Sequence, residues 1–304
     1  MTPDARHERR HDPEAAPLWN ESWYFDFAAP DGSLGGYVRL GLYPNLGVSW
    51  YWAYLVGDDR PLLVVRHHEA ALPRGDVLEV REEGLWAALH CETPHEHWSV
   101  QLEAFAVGLD DPAQAYEPGG ERGDRVPLGF DLEWEAAAPV HDTVERLGRY
   151  EQTCTVTGEI LVGDERIELD GTGQRDHSWG VRDWWERGWI WTAGRAGDDA
   201  FHAFCTVPYG GWGIGYVAHD GALETVLDFE AHVESDDEDP STRFPRVTAM
   251  RFLGLDLTCT TRHLAPVRLE SPEGRVARFP RALCRFDAAD GRSGYGWTEW
   301  NQPE

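Results

Sequence analysis

The chain has 304 residues, enough for two modest domains or one large β domain with a real core. Its 54 acidic side chains outnumber 27 basic ones, giving a formal net charge of −27. A field of that sign repels phosphate backbones and anionic membrane surfaces, which argues against nucleic-acid binding. The sequence contains no lysine, and this excludes Schiff-base chemistry, pyridoxal anchoring and a P-loop.

Residues 1–17, "MTPDARHERRHDPEAAP", read as a disordered polar tail without the apolar centre of a signal peptide. From Trp19 the pattern is that of strands. "GGYVRLGLYPN" and "GVSWYWAYLVGDDRPLLVVRHH" alternate aromatic and β-branched residues, and "DVLEVREEGLWAALHCETPHEHWSVQLEAFAVGL" continues in the same style. The Asp-, Pro- and Gly-rich stretch 110–127 predicts a surface loop. "DTVERLGRYEQ", 142–152, is the one fair helix candidate and marks the expected domain boundary. Short strands separated by Gly-Asp and Gly-Gly turns follow to the C-terminus. Two blocks of many short strands predict an all-β protein: an N-terminal domain over 18–140 and a C-terminal domain over 141–304, each a barrel or sandwich with very little helix.

No segment reaches ~18 consecutive apolar residues, so no membrane insertion and a cytoplasmic location are expected. The five cysteines, Cys91, Cys154, Cys205, Cys259 and Cys284, are odd in number and widely spaced. No disulfide and no metal are expected from them. His95 and His97 share a strand face, but no third ligand follows at a telling spacing.

"GTGQRDHSWGVRDW", 171–184, is the densest polar stretch. Ser178 is not in a nucleophile elbow, because Asp176 stands where that motif requires glycine, and "GTGQRD" is no dinucleotide fingerprint. In an extended chain Arg175, His177 and Trp179 point to one face, Asp176 and Ser178 to the other. The first set suits a lined polar pocket; the competing interpretation is a structural network around Arg175 and Arg182. Tryptophan, 15 in all, clusters at pairs that include Trp50–Trp52 and Trp189–Trp191. Core packing explains many of these rings, and a large apolar ligand would use the same flat surface.

"YEQ" at 150–152, a hairpin, and then G-x-G-x-R-D-H-S-W-G-x-R at 171–182 resemble the C-terminal domain of a bacterial family. That family is related to carotenoid 1,2-hydratases, AttH-like proteins and fungal decalin-forming Diels–Alderases. The resemblance implies two tandem lipocalin-like β domains with a hydrophobic ligand between or within them. In the carotenoid hydratases the pair similar to His177 and Trp179 works with a tyrosine and an aspartate on the next long strand. The matching strand here, "AFHAFCTV", offers His202 and Thr206 and has no Tyr-x-Asp, a departure that counts against hydration specifically.

The resulting expectation is a protein that binds an isoprenoid, polyketide or steroid-like molecule. Cofactor-free hydration, cyclisation or isomerisation is the expected activity, and a non-catalytic carrier is the alternative. His177 would be the general acid/base, with Asp176 its partner or the proton source. Trp179, Gln152, His202, Trp191 and Trp52 would contact the ligand. On this reading His177→Ala spares the fold and abolishes turnover.

Overall fold

A computed structural model of the chain describes residues 2–206, 212–235, 244–271 and 273–303. The described residues form two curled antiparallel sheets of 11 strands each. The first contains β1 (Trp19–Ala28), β2 (Leu34–Tyr43), β3 (Val48–Gly57), β4 (Leu62–Ala71), β5 (Leu78–Glu82), β6 (Leu85–Thr93), β7 (His97–Leu109), β8 (Arg125–Ala136), β9 (His141–Asp142), β10 (Arg149–Val162) and β11 (Glu165–Val181). The second contains β12 (Trp189–Ala196), β13 (Asp199–Thr206), β14 (Ile214–His219), β15 (Ala222–Val226), β16 (Glu230–Ser235), β17 (Pro245–Phe252), β18 (Leu255–Leu264), β19 (Val267–Glu270), β20 (Val276–Phe279), β21 (Arg281–Ala288) and β22 (Ser293–Pro303). Among the described residues helix amounts to α1 (Val144–Leu147) and two 3-10 turns, Ala5–Glu8 and Pro112–Tyr116. The architecture is all-β, as the punctuated strand pattern predicts.

In the first sheet the order is β4-β3-β2-β1-β11-β10-β8-β7-β6-β5, and β4 also pairs with β7. The Leu62–Leu109 and Val64–Val107 pairs make that seam and close the sheet into a barrel, the closure that removes free strand edges. The second sheet runs β15-β14-β13-β12-β22-β21-β18-β17-β16, with β19 and β20 attached through β22.

Two expectations are corrected. Sheet membership changes between Val181 and Trp189, not at 140/141. The reason is register: β11 pairs with β1 from Trp19–Val181 to Ala28–Thr172, and β10 pairs with β8, so residues 149–181 complete the first barrel. Nor are residues 2–17 a free tail. Asp4 caps the Ala5–Glu8 turn by accepting from the Arg6 amide at 2.9 Å, and His7 and Glu8 are buried. This strap crosses the barrel, and Arg10 donates to the carbonyls of Pro73 and Gly75.

Strand alternation divides the apolar residues among three large cores and a small cluster around Tyr216. Trp23, Phe25, Phe27, Trp98 and Trp134 fill the barrel. Tyr24, Tyr37, Trp52, Trp184, Trp191 and Trp297 pack between the sheets. Phe201, Phe252, Phe286 and Trp300 fill the second domain. Each such ring contributes roughly 1.5–3 kcal/mol by leaving water, so most of the tryptophan content is structural. Gly173 is required for strand approach, since a Cβ there would stand 1.9 Å from the Asp26 carbonyl oxygen.

Candidate functional site

Strand β11 positions the polar chemistry through its pairings. His177 lies opposite Trp23 of β1 and Tyr150 of β10, and Arg175 lies opposite Phe25 and Gln152. Arg175, His177 and Trp179 therefore face the barrel interior. Asp176 and Ser178 face the second sheet. The pleat separates neighbours in sequence into two polar assemblies.

The first assembly lines a cleft of about 260 Å³ between the sheets. Its aromatic walls include Tyr24, Trp52, Trp184, Trp189, Trp191 and Phe204, and four arginines, Arg39, Arg149, Arg182 and Arg281, reach it. Arg149 donates to both Glu151 and Asp176. Arg281 pairs with Glu299 at 2.9 Å and stacks on Tyr24 and Tyr37, each 4.4 Å away. Arg39 and Arg182 have no carboxylate at ion-pair distance among the described residues. Arg39 lies between Trp52 and Trp184, at 4.9 and 5.0 Å, and its buried Nη1 has no hydrogen-bond partner. Arg182 donates to Ser178 Oγ at 3.2 Å and stacks on Trp184. Burial and the neighbouring Arg149 charge lower its pKa to about 10. The four arginines meet Asp176, Asp183 and Glu299 in the lining and Glu151 behind it, and Arg39 and Arg182 are the two without an ion-pair partner there.

The carboxyls near the cleft are shifted. Burial raises the pKa of Asp176; Arg149 opposes the rise and the Glu151 charge adds to it. Behind Tyr24, whose hydroxyl donates to Asp26 at 2.9 Å, burial pushes Asp26 up to about 7, against the Gln174 amide, Tyr24 and Arg281. Glu151 joins the two domains. It accepts from Gln174 of the first sheet at 2.9 Å and from Trp191 of the second at 3.3 Å, with His202 3.4 Å away.

The second assembly lies inside the barrel under the strap. Glu8 binds Arg175 at 2.9 Å and also accepts from Tyr150, Trp98 and the His95 amide. Burial opposes its ionisation, but Arg175 and these hydrogen bonds outweigh it and hold Glu8 well below the usual carboxylate range. His177 places Nδ1 2.7 Å from the His7 carbonyl and Nε2 2.9 Å from Glu21. His11 also meets Glu21, at 2.7 Å, and stacks on Trp179 with ring centroids 3.7 Å apart. Burial opposes the ionisation of Glu21 as well, and the contacts from His11 and His177 lower its pKa overall.

Of the residues singled out from sequence, Asp176, Arg182, Trp52 and Trp191 meet in the cleft. His177, Trp179, Gln152 and Arg175 do not, and the expectation that His177 works with Asp176 is corrected by the pleat between them. Gln152 holds Arg175 at 2.6 Å and the His95 and Ala138 carbonyls at 3.0 Å. His202 packs behind Trp191 and Glu151, where burial and then Arg149 lower its pKa to about 3. His95 and His97 pair separately with Glu8 and Glu133.

Sequence reasoning missed Glu8, Glu21, Arg39, Glu151, Arg281 and Glu299. The signal for two of these was a charge inside an otherwise apolar strand, as in "WNESWYFDFA" and "GGYVRLGLY".

The description "Domain of unknown function (DUF7064)" matches residues 4–304. The chain belongs to that family. No curated protein sequence matches it. Among solved structures, an AttH-like protein of Nitrosomonas europaea superposes with a TM-score of 0.63 at 16% identity, covering 93% of this chain and 92% of that one. The kievitone hydratase of Nectria haematococca gives 0.61 at 11% identity, covering 93% and 89%. CghA gives 0.59 at 13% identity, covering 93% and 88%. The DUF7064 chain thus shares the two-domain lipocalin-like fold of these structural neighbours.

Proposed function

We propose that the cleft between the sheets binds a hydrophobic small molecule of isoprenoid, polyketide or steroid-like chemistry that carries an anionic group. The observation carrying this reading is Arg39: a guanidinium that lines the cleft between two indoles, donates to Asn20 at 3.4 Å and has no carboxylate partner among the described residues. An isolated buried charge costs several kcal/mol unless paired, so an anion on the ligand offsets a cost the free protein carries. The volume, about 260 Å³, sits just below the ~300–1,000 Å³ usual for small-molecule sites and suits a compact ring system.

The activity we propose is cofactor-free proton transfer: hydration, cyclisation or isomerisation. Asp176 is the acid/base group. It lines the cleft, and burial favours its protonated form, the state a general acid needs. The carrier reading rests on the same cleft, because Asp176 and Glu299 are each already paired with an arginine.

The test is to extract and identify by mass spectrometry the molecule that co-purifies, then incubate it with the protein in heavy water. Deuterium entering carbon positions of the ligand with wild type, and not with Asp176→Asn, supports catalysis. Binding without exchange leaves the carrier reading, and a neutral ligand contradicts the role given to Arg39.

A further inference from the structure

We propose that His11, Glu21 and His177 form a site for a divalent transition-metal ion of the zinc type, which ties the N-terminal strap to the barrel. One ligand atom from each residue lies within 4.8 Å of the others, and the three side chains come from the strap, β1 and the adjoining β11. The Glu21 and His177 side chains are 2% and 1% exposed, and His11 is 20% exposed.

The hydrogen-bond partners leave a place for a cation. The His7 carbonyl can only accept, so His177 Nδ1 carries a hydrogen, and Nε2 of the neutral ring offers its lone pair. That lone pair points at a carboxylate oxygen of Glu21, which can also only accept, at 2.9 Å. Two acceptors aimed at each other in a dry site require a positive centre between them. A metal ion held by both atoms is such a centre.

Both imidazoles are already oriented for ligation. His177 is fixed through its remote nitrogen by the His7 carbonyl. His11 has its own remote nitrogen 2.9 Å from the His7 ring, and it stacks on Trp179. Metal-binding histidines characteristically have such outer partners. Two imidazoles and one carboxylate suit zinc, which binds nitrogen and oxygen at about 2.0–2.2 Å and takes a fourth ligand from solvent. Seating an ion requires Glu21 to withdraw by roughly half an ångström, given those bond lengths. This site lies on the face of β11 opposite the cleft and does not depend on the function proposed for the cleft.

The experiment uses the full chain without an affinity tag, stripped with chelator and dialysed against zinc sulfate, with bound metal measured by mass spectrometry. We expect one equivalent of zinc, and slower tryptic cleavage after Arg9 and Arg10 when zinc is present. His11→Ala is the main variant, because its side chain sits on the strap and leaves the barrel intact. It should weaken zinc binding ten-fold or more and remove the protection from trypsin. Glu21→Gln should do the same. Failure of wild type to bind zinc, or equal binding by His11→Ala, overturns the proposal and leaves the trio a hydrogen-bonded anchor.

Discussion

Asp176 and His177 are consecutive in β11 and face different compartments: Asp176 pairs with Arg149 in the cleft, while His177 meets the His7 carbonyl and Glu21 inside the barrel. Substitutions at the two positions therefore separate chemistry from architecture. Asp176→Asn keeps the shape and leaves Arg149 paired with Glu151, so unfolding stability changes by no more than about 1 kcal/mol. Ligand deuterium exchange should fall by roughly 100-fold or more, the usual weight of a general acid/base. His177→Ala instead leaves a void against Trp23 and takes one of its two histidine partners from the buried Glu21. It should cost ~2–5 kcal/mol in urea unfolding while sparing exchange. The effect of His177→Ala is thus the reverse of the one expected from sequence.

Glu8 is the counterion of Arg175 at the centre of the barrel. Glu8→Ala strands a guanidinium that is 3% exposed, and the expected loss is ~3–5 kcal/mol. Urea unfolding of wild type and variant measures it directly. An effect below about 1 kcal/mol would mean that the strap adds little to the fold.

Asp26 gives a pH dependence of definite sign. Its folded-state pKa is raised by burial from 3.8 to about 7. Between these values the folded state holds a proton that the unfolded state has lost, so stability is complete below the unfolded value and falls as pH rises through about 7. The loss is on the order of 4 kcal/mol. Asp26→Asn should flatten this part of the stability profile, and an unchanged slope would show that Asp26 does not hold the proton.

Arg39→Met should separate stability from binding. The substitution removes a buried charge without a carboxylate partner and keeps an apolar chain between Trp52 and Trp184. Stability should be unchanged or raised, while affinity for an aromatic anion such as anilinonaphthalene sulfonate should drop about ten-fold or more, the equivalent of ~1.4 kcal/mol. Calorimetry and fluorescence titration read the two quantities independently.

The sequence made the strands legible because their period of two is local, and it assigned the faces of Arg175, Asp176 and His177 correctly for the same reason. It did not reveal which compartment each face meets, because that depends on β11 pairing with β1, some 150 positions away. "DARHERRH" resembles a solvated tail since nearly every residue in it is polar. Its order comes from contacts at long separation, such as Glu8 with Arg175 and the His7 carbonyl with His177. His11, Glu21 and His177 follow no ligand spacing in sequence, so only the register of β1 against β11 brings them together.

The most direct measurement is a crystal structure of the protein soaked with anilinonaphthalene sulfonate. The rings should lie among Trp52, Trp184 and Trp191, with the sulfonate against the guanidinium groups of Arg39 and Arg182 that line the cleft. Density for the probe inside the barrel beside His177 and Trp179, or an empty cleft at saturating probe, would contradict it.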